Sequence, residues 1–138
     1  MIEITEKTIS PEQVIIKVKS DGSGCVVAYV GLIRDHSQGK AVLSVEYEDS
    51  ERNAEKLLQE IAREARQRWQ LENIAISHRV GKLMVGEINL VVAVASAHRS
   101  EGFAACQYII DKFKESLPTR KTETYQDKGT AEADLRNN

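Results

Sequence analysis

Apolar and polar positions change period several times along this chain, and each change marks an element. Ile2 to Thr8 alternates as a short strand. Ser10-Pro11-Glu12-Gln13 carries the marks of a helix start, with Ser10 as cap, Pro11 at the first helical position and Gln13 closing a capping box. The residues after it, Val14 to Val18, are rich in β-branched side chains, which prefer strands. Asp21-Gly22-Ser23-Gly24 is a turn. Cys25 to Ile33 (CVVAYVGLI) is apolar almost without interruption, the pattern of a strand covered on both faces. Asp35 to Lys40 reads as a mobile polar loop, and Ala41 to Glu48 alternates as a strand that pairs with the one before it.

The clearest helix spans 50–69, where Ala54, Leu57, Leu58, Ile61, Ala62, Ala65 and Trp69 share one stripe and Glu64 and Arg68 pair on the other face. Ile74 to Val80 and Ile88 to Ala95 are strands, joined through a hairpin-like connection over 81–86 that has room for extra strand pairing. Ser100 to Leu117 is a second long helix with a core face of Phe103, Cys106, Ile110, Phe113 and Leu117, ended by Pro118. From residue 125 to 138 the chain is polar and reads as a loose tail. Helices and strands do not alternate strictly, so the order predicts an α+β fold with a mostly antiparallel or mixed sheet.

Composition narrows the function classes. At 138 residues the chain is long enough for one cored domain, 1–138. A net charge of -2 and 5% aromatics argue against a nucleic-acid coat. No apolar run reaches the ~20 residues of a membrane helix, and the N-terminus lacks the basic and apolar regions of a signal peptide. Cys25 and Cys106 sit in apolar segments, as two reduced, buried thiols of a cytoplasmic protein would. No Cys/His spacing matches a metal site, and neither a phosphate-binding loop nor a dinucleotide fingerprint is present.

Chemistry gathers instead on cations. His98-Arg99 stand where a strand gives way to a helix, whose first N–H groups form a natural anion site. Arg34 follows a buried strand and precedes a Gly-containing loop. Lys114 borders the apolar face of the last helix, with Asp111 as a possible ion-pair partner, and Arg120-Lys121 follow Pro118. A second pair, His78-Arg79, reads as structural. Each cation taken alone also fits a solvated surface charge.

Together the residues resemble a known family. YVGLIRDHSQG, LSVEYE, the H-R-x-G of 78–81, the S-A-H-R of 96–99 and the interval from Lys114 to Lys121 are similar to the large, catalytic subunit of molybdopterin synthase, over roughly residues 25–123. The resemblance implies an α/β-hammerhead-like fold with two long helices and a small β subdomain. It implies a sulfurtransferase of molybdenum cofactor biosynthesis that converts a cyclic pyranopterin monophosphate (precursor Z) to molybdopterin by inserting two dithiolene sulfurs. The sulfur would come from a thiocarboxylate on the C-terminal Gly-Gly of a small ubiquitin-like subunit, in a heterotetramer with a central dimer of large subunits, and no cofactor is implied. Carried over by position, the substrate contacts are Leu32, Ile33, Arg34, His98, Arg99, Lys114, Lys121, Thr122 and Glu123, with Lys114 and Lys121 as catalytic residues.

The chain departs from the family where an aromatic pair usually precedes the second lysine. Here Thr119-Arg120 stand in that place, and the guanidinium of Arg120 is expected to stack in lieu of the missing Trp. A non-catalytic module that uses the same pocket to hold a phosphorylated ligand or a partner is the competing reading.

Overall fold

The computed structural model of the chain describes residues 1–126 and 130–132. Its elements run β1 (Ile2–Thr5), α1 (Pro11–Val18), β2 (Cys25–Leu32), β3 (His36–Ser37), β4 (Lys40–Glu48), α2 (Ala54–Arg68), β5 (Asn73–Arg79), β6 (Gly81–Met84), β7 (Ile88–Ser96), α3 (Arg99–Glu115), β8 (Arg120–Tyr125) and β9 (Thr130–Glu132). They build two sheets. The first has the order β1-β5-β7-β2 and is parallel only between β1 and β5. In the second, β4 pairs antiparallel with β3, β6 and β8, and β8 carries β9. The expected mixed α+β architecture is present, with α1 as a third, shorter helix whose Ser10 Oγ accepts from the Gln13 N–H.

β7 is the axis of the first sheet. Leu90, Val92 and Val94 pack against Leu58 and Ile61 of α2 and Ile109 and Phe113 of α3. Val91, Ala93 and Ala95 face Val14 and Val18 of α1. Burial on both faces is the physical reason for the unbroken apolar run, at about 1.5–3 kcal/mol for each large side chain removed from water. A second core of Ile33, Val42, Val45, Tyr47, Leu83 and Tyr125 fills the other sheet. Leu117, just past α3, packs against both cores, so they meet beneath the C-terminal end of that helix.

Several local expectations are corrected. The run Cys25–Leu32 forms the edge of its sheet, where Val30 and Leu32 are 40% and 56% exposed; an apolar run does not distinguish a central strand from an edge. The loop after Arg34 holds the short strand β3, closed onto β4 by Gln38 and Gly39 at positive φ, the geometry of a tight hairpin. The connection over 81–86, by contrast, does join β5 and β7 as an antiparallel pair, and within it β6 adds a pairing with β4. α2 begins at Ala54, where the Asp49 carboxylate accepts from the N–H groups of Asn53 and Ala54. Glu64 and Arg68 both engage Tyr108 of α3: Tyr108 donates its OH to Glu64 at 3.0 Å, and Arg68 lies 4.6 Å from the ring centroid. Phe103, assigned to the α3 core, is 61% exposed, and Ile109 takes the buried position. Of the stretch expected as a loose tail, Tyr125 is buried at the end of β8 and Thr130–Glu132 form β9, while 127–129 and 133–138 lie outside the described residues.

Candidate active site

The site lies where the two sheets meet, and one chain reversal builds it. α3 ends at Glu115, with Lys114 in its last turn. Pro118 blocks continuation, and the chain turns back as β8, which pairs with β4 in the register Lys121 to Tyr47 and Glu123 to Val45. A buried histidine pins this reversal. His78 has no exposed surface, and burial lowers its pKa to about 4, so the ring is neutral. Its Nδ1–H donates to the Asn89 carbonyl at 3.0 Å, which leaves Nε2 to accept from the Thr119 hydroxyl at 2.7 Å. Tyr47 and Phe113 pack edge-on against the ring, at 5.0 and 4.9 Å between centroids. The structural reading of His78 therefore holds, and Arg79 pairs with Glu87 at 3.0 Å.

Alternation along β8 then decides which side chains enter the site. Lys121, Glu123 and Tyr125 point inward and are buried, whereas Arg120 is exposed. Lys121 is only 3% exposed, and its amine is lowered to about 8, chiefly by burial. Lys114 and Arg34 push it further down, and Glu123 opposes them. The Glu123 carboxylate accepts from the Tyr125 hydroxyl at 3.0 Å. Lys114 is lowered as well, first by burial and then by Arg34, against Asp111; its Nζ lies 5.9 Å from the Tyr29 ring centroid. Three cations thus converge on one partly apolar cavity of about 290 Å³, lined also by Tyr29, Asn89 and Phe113. The arrangement suits an anion by its charge and keeps one amine near its titration point at neutral pH.

Of the residues singled out in the sequence, Leu32, Arg34, Lys114 and Lys121 line this cavity. Ile33 and Glu123 border a smaller adjoining cleft with Leu32, Arg34, His36 and Lys121. Thr122 lies on the other face of β8, half-buried. His98 and Arg99 line a different cleft with Cys25 and Phe103 at the opposite end of α3, about 22 Å from Lys114 at the rise of an α-helix. Arg120 faces away from Lys121 and does not stack in the cavity, because neighbours on a strand point to opposite faces. Sequence reasoning missed Tyr29, Asn89 and His36. Asn89 left a signal, as the polar residue near the start of the buried run INLVVAVAS.

The "MoaE protein" family model matches residues 4–116, a span that contains Arg34 and Lys114 and stops before β8. Relatives named molybdopterin synthase catalytic subunit include one from Nostoc sp., 39% identical over 90% of this chain and 76% of its own length. Another, from Thermoplasma volcanium, is 37% identical over 88% of this chain and 89% of its own. One from Homo sapiens is 35% identical over 94% and 69%. The crystal structure of molybdopterin synthase from Staphylococcus aureus superposes with a TM-score of 0.86 at 33% identity, over 93% of both chains. A protein–protein complex of subunits 1 and 2 of the molybdopterin-converting factor from Helicobacter pylori matches at a TM-score of 0.77 and 13% identity, a likeness of fold.

Proposed function

The chain belongs to the MoaE family of molybdopterin synthase catalytic subunits, and from that premise we propose how its cavity transfers sulfur. It is an enzyme of molybdopterin biosynthesis, a sulfurtransferase; the reading as a non-catalytic module is not favoured. The substrate is the cyclic pyranopterin monophosphate, and the sulfur donor is the thiocarboxylate at the Gly-Gly end of a small ubiquitin-like subunit. The observation that carries this reading is the buried Lys121 amine, lowered to about 8 and sharing one cavity with Lys114 and Arg34.

Lys114 and Arg34 supply charge for the incoming thiocarboxylate and the substrate phosphate. Lys121, part of which is neutral near pH 8, accepts and returns protons as each sulfur is installed. Two sulfurs enter each product, so two partner tails are consumed in turn. Exposed Val30 and Leu32 on the edge strand β2 rim the mouth of the cavity and suit an extended peptide. Ile33 and Glu123 extend this surface through the adjoining cleft, and Thr122, on the other face of β8, belongs to the site only as the residue between Lys121 and Glu123.

His98 and Arg99 are too far along α3 to reach a ligand held by Lys114 of the same copy. They complete the phosphate site from a second copy, in the central dimer of a heterotetramer that carries one small subunit at each end. No described helix is long and apolar enough to cross a membrane, and the free thiols of Cys25 and Cys106 suit the cytoplasm. Single-turnover formation of molybdopterin from the pyranopterin and thiocarboxylated partner tests the reading. Omission of the partner's last two glycines should abolish transfer, and transfer that survives their removal would overturn tail insertion.

A further inference from the structure

Asn89 occupies an unusual place in the most buried strand. Gly31 pairs with Leu90 and Leu32 with Ile88, so Asn89 is the extra residue of a β-bulge and has no Cα partner on β2. A bulge re-aims its side chain. Strict alternation would send Asn89 to the α1 face with Val91, yet it lines the cationic cavity with Leu90. The residue is 8% exposed. Its Nδ2 donates to the Tyr47 hydroxyl at 3.0 Å, while Oδ1 is buried with no hydrogen-bond partner among the described residues.

An orphaned buried acceptor is a cost to the fold, so its presence points to a donor that arrives from outside. The field of Arg34, Lys114 and Lys121 favours the amide oxygen on the cavity side and the NH₂ on the Tyr47 side. A methyl group on Gly31 would stand 2.8 Å from Oδ1 and 3.1 Å from the Tyr29 ring. The missing side chain at 31 therefore keeps a slot beside the acceptor, and the soft terminal torsion of an Asn lets Oδ1 turn into it.

We propose that Asn89 is a ligand-contacting, specificity-determining residue whose Oδ1 accepts a hydrogen bond from an N–H group that the ligand carries beside its anion. The three cations attract any anion, but all are donors only and none can accept a hydrogen bond from a ligand N–H. The single acceptor selects among anions for those with an adjacent N–H. In the reaction proposed above, on which this inference rests, that donor is either the backbone amide of the terminal glycine or a ring N–H or amino group of the pterin.

The test measures affinities of the full-length protein by calorimetry. The probes are a synthetic peptide ending in Gly-Gly, the same peptide with its last amide replaced by an ester, and the cyclic pyranopterin monophosphate. Asn89→Leu, close in volume and lacking the acceptor, should weaken one natural probe roughly 5- to 150-fold, the range for leaving one N–H unpaired. Loss for the peptide assigns the donor to the tail, and the ester peptide should then bind Asn89→Leu no worse than the amide does. Loss for the pterin assigns it to the ring. Gly31→Ala, which crowds Oδ1 and leaves Asn89 in place, should reproduce the loss and serves if Asn89→Leu fails to fold. Unchanged affinity for both natural probes in whichever variant folds would overturn the assignment. Wild-type protein that transfers no sulfur would instead overturn the functional reading beneath it.

Discussion

Lys121 and Lys114 differ in what surrounds them, and that difference divides their roles. Lys121 is the more buried amine and the one lowered to about 8, so it is the group able to exchange protons at neutral pH. Lys121→Ala and Lys114→Ala should each leave a folded, partner-binding protein with sulfur transfer reduced at least ~10²-fold, the first by loss of an acid–base group and the second by loss of the charge that holds the anion. Lys56→Ala, on the exposed face of α2, should leave the rate unchanged; single-turnover assays beside thermal melting check all three. If the neutral amine of Lys121 is the working form, transfer rises with pH through about 8. Arg34 is one of the charges that hold this pKa down. Arg34→Gln removes a nearby positive charge, favours the ammonium form and should move the midpoint of the pH–rate profile upward. A midpoint that stays in place would separate Arg34 from the lysine.

Among the elements, the reversal from α3 into β8 decides whether the two amines meet, and the His78–Thr119 hydrogen bond ties it down. Thr119→Val leaves His78 Nε2 buried without a donor, which costs about 1–3 kcal/mol. The expected result is a lower melting temperature and a fall in turnover larger than any change in partner affinity. His78 also sets an acid limit. Its pKa is about 4 in the fold against 6.5 for the free side chain, so between those values the unfolded chain binds the extra proton. Stability is fully present above about pH 6.5 and falls as the pH drops toward 4, by about 3 kcal/mol in all. Melting curves across that window should show this slope in the wild type and lose it in His78→Gln. The sequence marked the pair His78-Arg79 as structural but carried no sign that its partner would be Thr119, forty-one residues on.

For the whole molecule, the question is what covers His98 and Arg99. One copy keeps them at the far end of α3 from the lysines. In a symmetric dimer that completes each site with the other copy's pair, Arg99→Ala and Lys121→Ala are complementary lesions. Mixed and reassembled at substrate concentrations below KM, the two weak variants should recover about a quarter of wild-type activity, because random pairing restores one intact site in each mixed dimer. Activity no greater than the mean of the two separate variants would confine the site to a single copy. Arg99→Ala should raise the KM for the pyranopterin roughly 10- to 150-fold, as for a charge-assisted hydrogen bond, with little change in melting temperature.

What the sequence determined by itself is the part governed by local physics. Period placed the strand β7 and the long helices α2 and α3, capping marked the start of the short helix α1, and Pro118 marked the stop of α3. The cations at 34, 114 and 121 were visible as charged residues at element ends, and the family resemblance joined them. What only the tertiary structure decided depends on distance across the chain. Sheet order made the apolar strand β2 an edge, and β6 found its partner in β4, in the other sheet. Alternation on β8, fixed by its register with β4, sent Lys121 inward and Arg120 outward. The bulge opposite Gly31 turned Asn89 toward the cations. Helix length alone set His98 and Arg99 apart from the lysines they accompany in sequence. Local pattern fixes which residues can be buried or charged, whereas register, bulges and strand order fix where they point, and those arise only when distant segments pair.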